Sequence, residues 1–184
     1  MINLIFFLPT FSYGGAGNSV FRLCKSLNKK KYNINIISIG KCDYKSEFKK
    51  FDIKVYELKT KRVSNSIFEL NKLVKKIISI KFSKNIFISG IHYANIASII
   101  SLRLIKNLKL IVVERTDIQE LNIHSNFIKF IKNKLIYLLL KFFYKKADLV
   151  IANSLKAKND LQKICNIKVL KITPPSFLGY EKIK

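Results

Sequence analysis

Three glycines, Gly14, Gly15 and Gly17, close a long loop after the first apolar run of the chain. Glycine lets backbone N–H groups approach a ligand with no Cβ between them. From Asn18 onward Val20, Leu23, Cys24 and Leu27 fall at helical spacing, and Asn18 is positioned to cap that helix. A glycine loop opening onto a helix N-terminus favours an anion such as a phosphate. The spacing in Gly14-Gly15-Ala16-Gly17 is not that of the GxGxxG dinucleotide fingerprint. The plainer alternative is a flexible connection whose glycines only permit a turn, although a loop from Pro9 to Gly17 carrying Phe11 and Tyr13 is longer than a turn needs.

A second set of polar residues stands where apolar runs end. His92 follows Gly90-Ile91, Glu114-Arg115-Thr116-Asp117 follows LKLIVV, and Asn153-Ser154 follows LVIA. Each also has an ordinary explanation. His92 is read alternatively as a helix-start histidine, and Glu114, Arg115 and Asp117 as a local ion pair fixing a loop. Asn153 and Ser154 are read as turn and cap residues. As a set they matter more, because the elements that carry them should bring all of them to one edge.

Those elements follow from periodicity. Ile2 to Leu8 is a continuous apolar run, as in a strand buried on both faces. Further strands are expected at Asn33 to Ile39, Ile53 to Leu58, Asn85 to Ser89, Leu108 to Val113, Leu149 to Ala152 and Lys168 to Ile172. Helices are expected over Ser64 to Ile80, from near His92 to Ile105, over Ser125 to Lys146, and after a cap at Ser154. Lys41 to Lys50 reads as loop or a single helical turn, and Pro174-Pro175 stops the last strand. Strands alternating with helices predict an α/β fold, a Rossmann-like three-layer sandwich on a mostly parallel sheet. With strand order 3-2-1-4-5-6, ligands bind beyond the carboxyl ends of strands one and four. The glycine loop, Gly90 to Tyr93, Glu114 to Asp117 and Asn153-Ser154 then line one edge.

Composition bounds the partners. The chain has 184 residues, 49% of them hydrophobic, enough for one domain with a substantial core. Its formal charge is +24, from 35 basic and 11 acidic residues. The arginines are only Arg22, Arg62, Arg103 and Arg115, so lysine supplies most of the charge. That excess reads as genomic bias or as attraction to an anionic surface. No nucleic-acid-reading motif accompanies it, and nucleic acid is not expected as a partner. Cys24, Cys42 and Cys165 have no metal-ligand spacing, no metal site is expected, and their odd number indicates a reducing cytoplasm. The apolar N-terminus lacks a basic leader and a small-residue cleavage site, so it reads as a strand, not an export signal.

Four segments together carry a family resemblance: FLPTFSYGGAGNSVFRLCKSL at the start, GIHYANIASIISLRL at 90–104, LIVVERTD at 110–117 and ADLVIANSLKAKNDL at 147–161. In order and spacing they resemble the N-terminal, acceptor-side domain of family 4 glycosyltransferases of the GT-B architecture. VERTD is similar to the SERND motif of bacterial members; other members carry a histidine near that position, where this chain has Arg115. The resemblance implies one half of a GT-B fold over residues 1–173, with 174–184 beginning an inter-domain linker or tail. A second, C-terminal Rossmann domain would be missing and supplied in cis or in trans.

It further implies transfer of a sugar from a nucleoside-diphosphate sugar, with retention, to a glycan or lipid-linked acceptor, in cell-envelope polysaccharide synthesis. Under that resemblance Gly14, Gly15 and Gly17 offer N–H groups to the donor phosphate. Arg115 supplies charge or orients a sugar hydroxyl, and Asp117 and His92 contact acceptor or sugar. Glu114, Asn153 and Ser154 complete the cleft. No cofactor is implied; the nucleotide-sugar is a substrate.

Two other readings compete. An oxidoreductase domain lacks its fingerprint and an acidic residue after strand two. A non-catalytic partner chain would bind acceptor or membrane and need a second chain for the donor site. The segment Phe127 to Lys146 bears on the latter. Its longest apolar run, Leu135 to Leu140, is far shorter than the roughly 20 residues a spanning helix needs. It reads as a core helix whose lysines reach solvent, or as one whose exposed edge rests on an anionic membrane, peripheral on the inner face.

Overall fold

The computed structural model describes residues 1–60, 62–80, 82–116, 118 and 127–173. The strands are β1 (Ile2–Leu8), β2 (Tyr32–Ser38), β3 (Lys54–Glu57), β4 (Lys84–Gly90), β5 (Leu108–Glu114), β6 (Leu149–Ala152) and β7 (Leu170–Lys171). The helices are α1 (Gly15–Ser26), α2 (Lys45–Lys50), α3 (Ile67–Ile78), α4 (His92–Leu102), α5 (Phe127–Phe143) and α6 (Leu155–Cys165). Among the described residues every strand pairing is parallel, in the order β3-β2-β1-β4-β5-β6-β7. The expected order therefore holds, with β7 added beside β6. Residues 174–184, expected as the start of a linker or tail and holding the proline pair, lie outside the described residues, as do Ser125 and Asn126 of the expected long helix.

β1 is central because both of its faces are apolar. Leu4, Phe6 and Leu8 join one core cluster with Ile34, Ile36, Val20 and Cys24 of α1, and Phe48 of α2. Ile5 and Phe7 alternate onto the other face, in a cluster with Phe87, Leu110, Val112 and the inner residues of α3 to α6. Burying one such side chain fully contributes about 1.5–3 kcal/mol. A parallel sheet with helices on both faces results, a Rossmann-like α/β fold.

Two local readings are corrected. Asn18 does not cap α1: the helix begins at Gly15 with Gly14 as its N-cap, and the Asn18 amide already donates to the Gly14 carbonyl at 2.8 Å. A glycine takes the cap position because the chain enters extended there, with φ −145° and ψ 179°. Lys45–Lys50 is a short helix, α2, more than the loop or single turn expected.

Candidate active site at the carboxyl edge of the sheet

Pairing of β1 with both β2 and β4 places the loops after these strands side by side. The loop after β1 is tied to the loop after β2. Phe11 bridges Cys42, the Asp43 amide donates to the Phe11 carbonyl at 2.9 Å, and the Ile39 and Gly40 amides donate to the Pro9 carbonyl. The three glycines then divide by task. A Cβ on Gly17 would stand 2.5 Å from the Ser12 carbonyl oxygen, so Gly17 is needed for packing of the loop on α1. A Cβ on Gly15 would meet nothing within 4 Å, and one on Gly14 only the Ser12 hydroxyl at 3.8 Å. Gly14 and Gly15 thus leave the N-terminus of a 12-residue helix open, with no side-chain cap on its amides.

Arg115 lies across the carboxyl end of β4, on the side that α1 covers. A Cβ on Gly90 would come within 3.2 Å of its Nε and 2.8 Å of Leu8 Cδ2, and the same crevice includes Val20 of α1. Glycine at 90 is what lets the arginine side chain pass. Burial pulls the guanidinium below its ordinary pKa, but an arginine keeps its proton in proteins. Its Nε is buried with no hydrogen-bond partner, and no carboxylate pairs with it among the described residues. A cation whose Nε has no partner, at the same sheet edge as a helix N-terminus without a side-chain cap, suits an anion.

Glu114 is not a cleft residue, contrary to expectation, nor does it form an ion pair with Arg115. On β5 the alternation Leu110, Val112, Glu114 turns its side chain into the helix layer, where it is fully buried. Its Oε1 accepts from the Arg115 amide (3.1 Å), the Thr116 amide (3.2 Å) and the Thr116 hydroxyl (3.0 Å). Its Oε2 accepts from the Tyr144 hydroxyl at 2.7 Å. Asn95 donates to the Tyr144 oxygen (2.9 Å) and the Val113 carbonyl (3.1 Å), while its own oxygen accepts from Ser89 at 2.7 Å. Burial pushes the Glu114 carboxyl above its ordinary value, against the opposing pull of these hydrogen bonds. Burial and then the Glu114 charge push the Tyr144 phenol well above its own. The carboxylate thus holds the Arg115-Thr116 backbone from below.

His92 opens α4, and its Nδ1 stands 4.0 Å from Glu114 Oε1 and 3.5 Å from the Thr116 hydroxyl. The residue before it, Ile91, has φ 76° and ψ 133°, a conformation nearly reserved for glycine. Such strain costs of order 1–3 kcal/mol and persists only where the surroundings impose it. Asn153 donates from its side chain to the Arg115 carbonyl at 3.0 Å and so braces the same loop. Ser154 caps α6, accepting from the Ala157 amide at 3.1 Å. Asp117 lies outside the described residues. The structure therefore brings Gly14, Gly15, Gly90, His92, Arg115 and Asn153 to one edge.

Sequence reasoning missed Tyr144, Asn95 and Ser89. Tyr144 extends the buried series Ile136, Leu140 at intervals of four, and Asn95 lies one turn beyond His92. A polar residue at such a core position was the available signal. Among the described residues no three His, Cys, Asp or Glu side chains converge as a metal site. A wide hollow lined by Ile78, Phe82, Ile86, Leu108 and Ile111 lies at the opposite edge, by the amino ends of β4 and β5.

No curated protein matches the chain. Among solved structures, HepE of Anabaena in complex with UDP and glucose is similar, with TM-score 0.60 and 17% identity over 91% of this chain and 44% of that one. HepE in complex with UDP-glucose is similar with TM-score 0.60, 16% identity, and coverage of 92% and 43%. The chain therefore spans less than half the length of these structures, and the likeness is one of fold. The family model for Glycosyltransferase Family 4 matches residues 13–174, nearly the whole of the described chain, and the chain belongs to that family.

Proposed function

We propose that this chain is the acceptor-side half of a GT-B glycosyltransferase. It acts in transfer of a sugar from a nucleoside-diphosphate sugar, with retention, to a glycan or lipid-linked acceptor. A second Rossmann domain, in cis or in trans, completes the donor site. The observation that carries the reading is Arg115, its buried Nε without a partner, at the same sheet edge as the uncapped N-terminus of α1. Negative charge develops on the leaving diphosphate, and fixed donors and cations aimed at it lower the barrier. Gly15 supplies an N–H donor, the Gly14 amide being taken by the Ser12 carbonyl at 2.7 Å, and Arg115 supplies charge or orients a sugar hydroxyl. His92 and Asp117 contact acceptor or sugar. Family membership and the UDP, glucose and UDP-glucose of the HepE complexes support this substrate class.

The acceptor is presented at the inner face of the membrane, in cell-envelope polysaccharide synthesis. Phe127, Ile128, Ile131, Leu135, Leu138 and Phe142 form a stripe along α5, each more than half exposed. Lys132 lies over Tyr93, next to His92, so the stripe begins at the edge that carries the site. No helix among the described residues is long and apolar enough to cross a membrane. The same stripe favours the second reading, a non-catalytic chain that binds acceptor or membrane and serves a partner. Transfer from UDP- and GDP-sugars to lipid-linked and free glycans, assayed with the chain alone and with a donor-side domain, separates the two. Transfer that requires both parts supports the enzyme; binding without transfer supports the partner chain.

A further inference from the structure

Tyr13 is the outermost ring of an aromatic cluster that the proposed chemistry does not use. Its ring packs edge-on against Tyr44, 4.7 Å between centroids and 69° between planes. Tyr44 stacks on Phe21 at 4.8 Å, and both meet Phe48. The Tyr13 hydroxyl lies 2.9 Å from the Asp43 carbonyl oxygen and 3.2 Å from Glu47 Oε1, sharing its proton between them. Ser46 donates to the other Glu47 oxygen at 2.7 Å. Held at both ends, the ring is nevertheless 67% exposed. It immediately precedes Gly14, on the β2 side of the glycine loop and away from Arg115.

An exposed ring fixed in one orientation contributes little to the core. It does offer a partner a large apolar face at small entropic cost. The flat partner that fits this surrounding is a pyranose, whose axial C–H bonds give it an apolar face and whose hydroxyls are donors. The Glu47 carboxylate and the Asp43 backbone carbonyl stand at the ring's hydroxyl end, and both are acceptors. The Glu47 charge repels phosphate, which favours the Arg115 side for the diphosphate. We propose that Tyr13, with Asp43 and Glu47, is the subsite that receives an uncharged sugar ring of the acceptor. This rests on the transferase reading for the word acceptor, and on geometry alone for the sugar.

The test is a titration of the chain with methyl glycosides of glucose, galactose and mannose, and with uridine, followed through the ring signals of isotope-labelled tyrosine. At least one glycoside should shift the Tyr13 signals. Tyr13→Ala should weaken that glycoside at least tenfold, while Tyr13→Phe, which keeps the ring, should weaken it about threefold or less. In the joined enzyme Tyr13→Ala should raise the acceptor KM and leave kcat in place. Absence of glycoside binding to the wild-type chain, equal binding by Tyr13→Ala, or preference of the ring for uridine each overturns the proposal. Glycoside binding through Tyr13 without any sugar transfer by the joined protein would instead remove the transferase reading and leave the subsite standing.

Discussion

Tyr144→Phe removes one oxygen from the middle of the buried network under the Arg115 loop. Glu114 Oε2 loses its one described hydrogen bond, at 2.7 Å, in a residue with no exposure to solvent. Asn95 loses one of its two acceptors and keeps the Val113 carbonyl. A hydrogen bond to a charged group is worth about 1.5–3 kcal/mol, and an orphaned buried group costs a similar amount. The variant should therefore be less stable by about 2–3 kcal/mol at pH 7.5, read as a lower urea midpoint with unchanged m. For a chain of this size that is a fall in Tm of about 4–12 °C.

The loss should depend on pH, with a definite sign. The folded Glu114 carboxyl holds its proton to higher pH than the unfolded one, whose pKa is about 4.3. Stability contributed by this group is present at low pH and falls as pH rises from the unfolded value through the folded one. Tyr144→Phe deletes a bond that favours the ionised form, so it moves the folded value higher and extends the fall. The gap between wild type and variant should be about 2–3 kcal/mol at pH 7.5 and narrow to about 1 kcal/mol near pH 4, where only a neutral hydrogen bond is lost. A loss below about 0.5 kcal/mol, or one constant across this range, would refute the network's role.

Gly15→Ala should leave stability unchanged or raise it by up to about 1 kcal/mol, since its Cβ meets nothing and alanine favours the helix; Gly17→Ala, driven against the Ser12 carbonyl, should cost more than about 1 kcal/mol. If thermal melts rank them the other way, the division of the glycines is wrong. Ile91→Gly should be more stable than Ile91→Ala by about 1 kcal/mol, because only glycine is at ease at φ 76°. Equal midpoints would show that the strain is absent. The chain should co-sediment with anionic but not neutral vesicles, in a way weakened by salt and by Lys→Glu changes at Lys141, Lys145 and Lys146; equal partitioning, or none, leaves α5 as a core helix alone.

Much of the fold was legible because a strand buried on both faces must be apolar throughout, as in INLIFFL and LKLIVV. The parallel sheet followed from the alternation of strands and helices, and its order was taken as the usual 3-2-1-4-5-6. The edge that gathers His92 and Arg115 followed from the order. What was not legible depends on which way a side chain turns. Glu114 ends a strand and looked like a cleft charge, yet period two counts it with Leu110 and Val112 toward the helices. Its acceptor role needs Tyr144, 30 residues away and hidden in the apolar, basic run KLIYLLLKFFYKK. The helix start was misplaced at Asn18 because a side-chain cap was expected where an extended glycine serves. Likewise Gly90 gave no sign in the sequence that it makes room for Arg115.

The rate of sugar transfer from a nucleoside-diphosphate sugar, by the chain joined to a donor-side Rossmann domain, with Arg115 or with Arg115→Ala, tests the central claim. The account predicts turnover on the order of 1 s⁻¹ or above for the joined protein and little or none for the chain alone. Arg115→Ala should lower kcat about 10²–10³-fold, as loss of a charge-stabilising donor does. Equal turnover with and without the guanidinium, or full activity from the isolated chain, would contradict it.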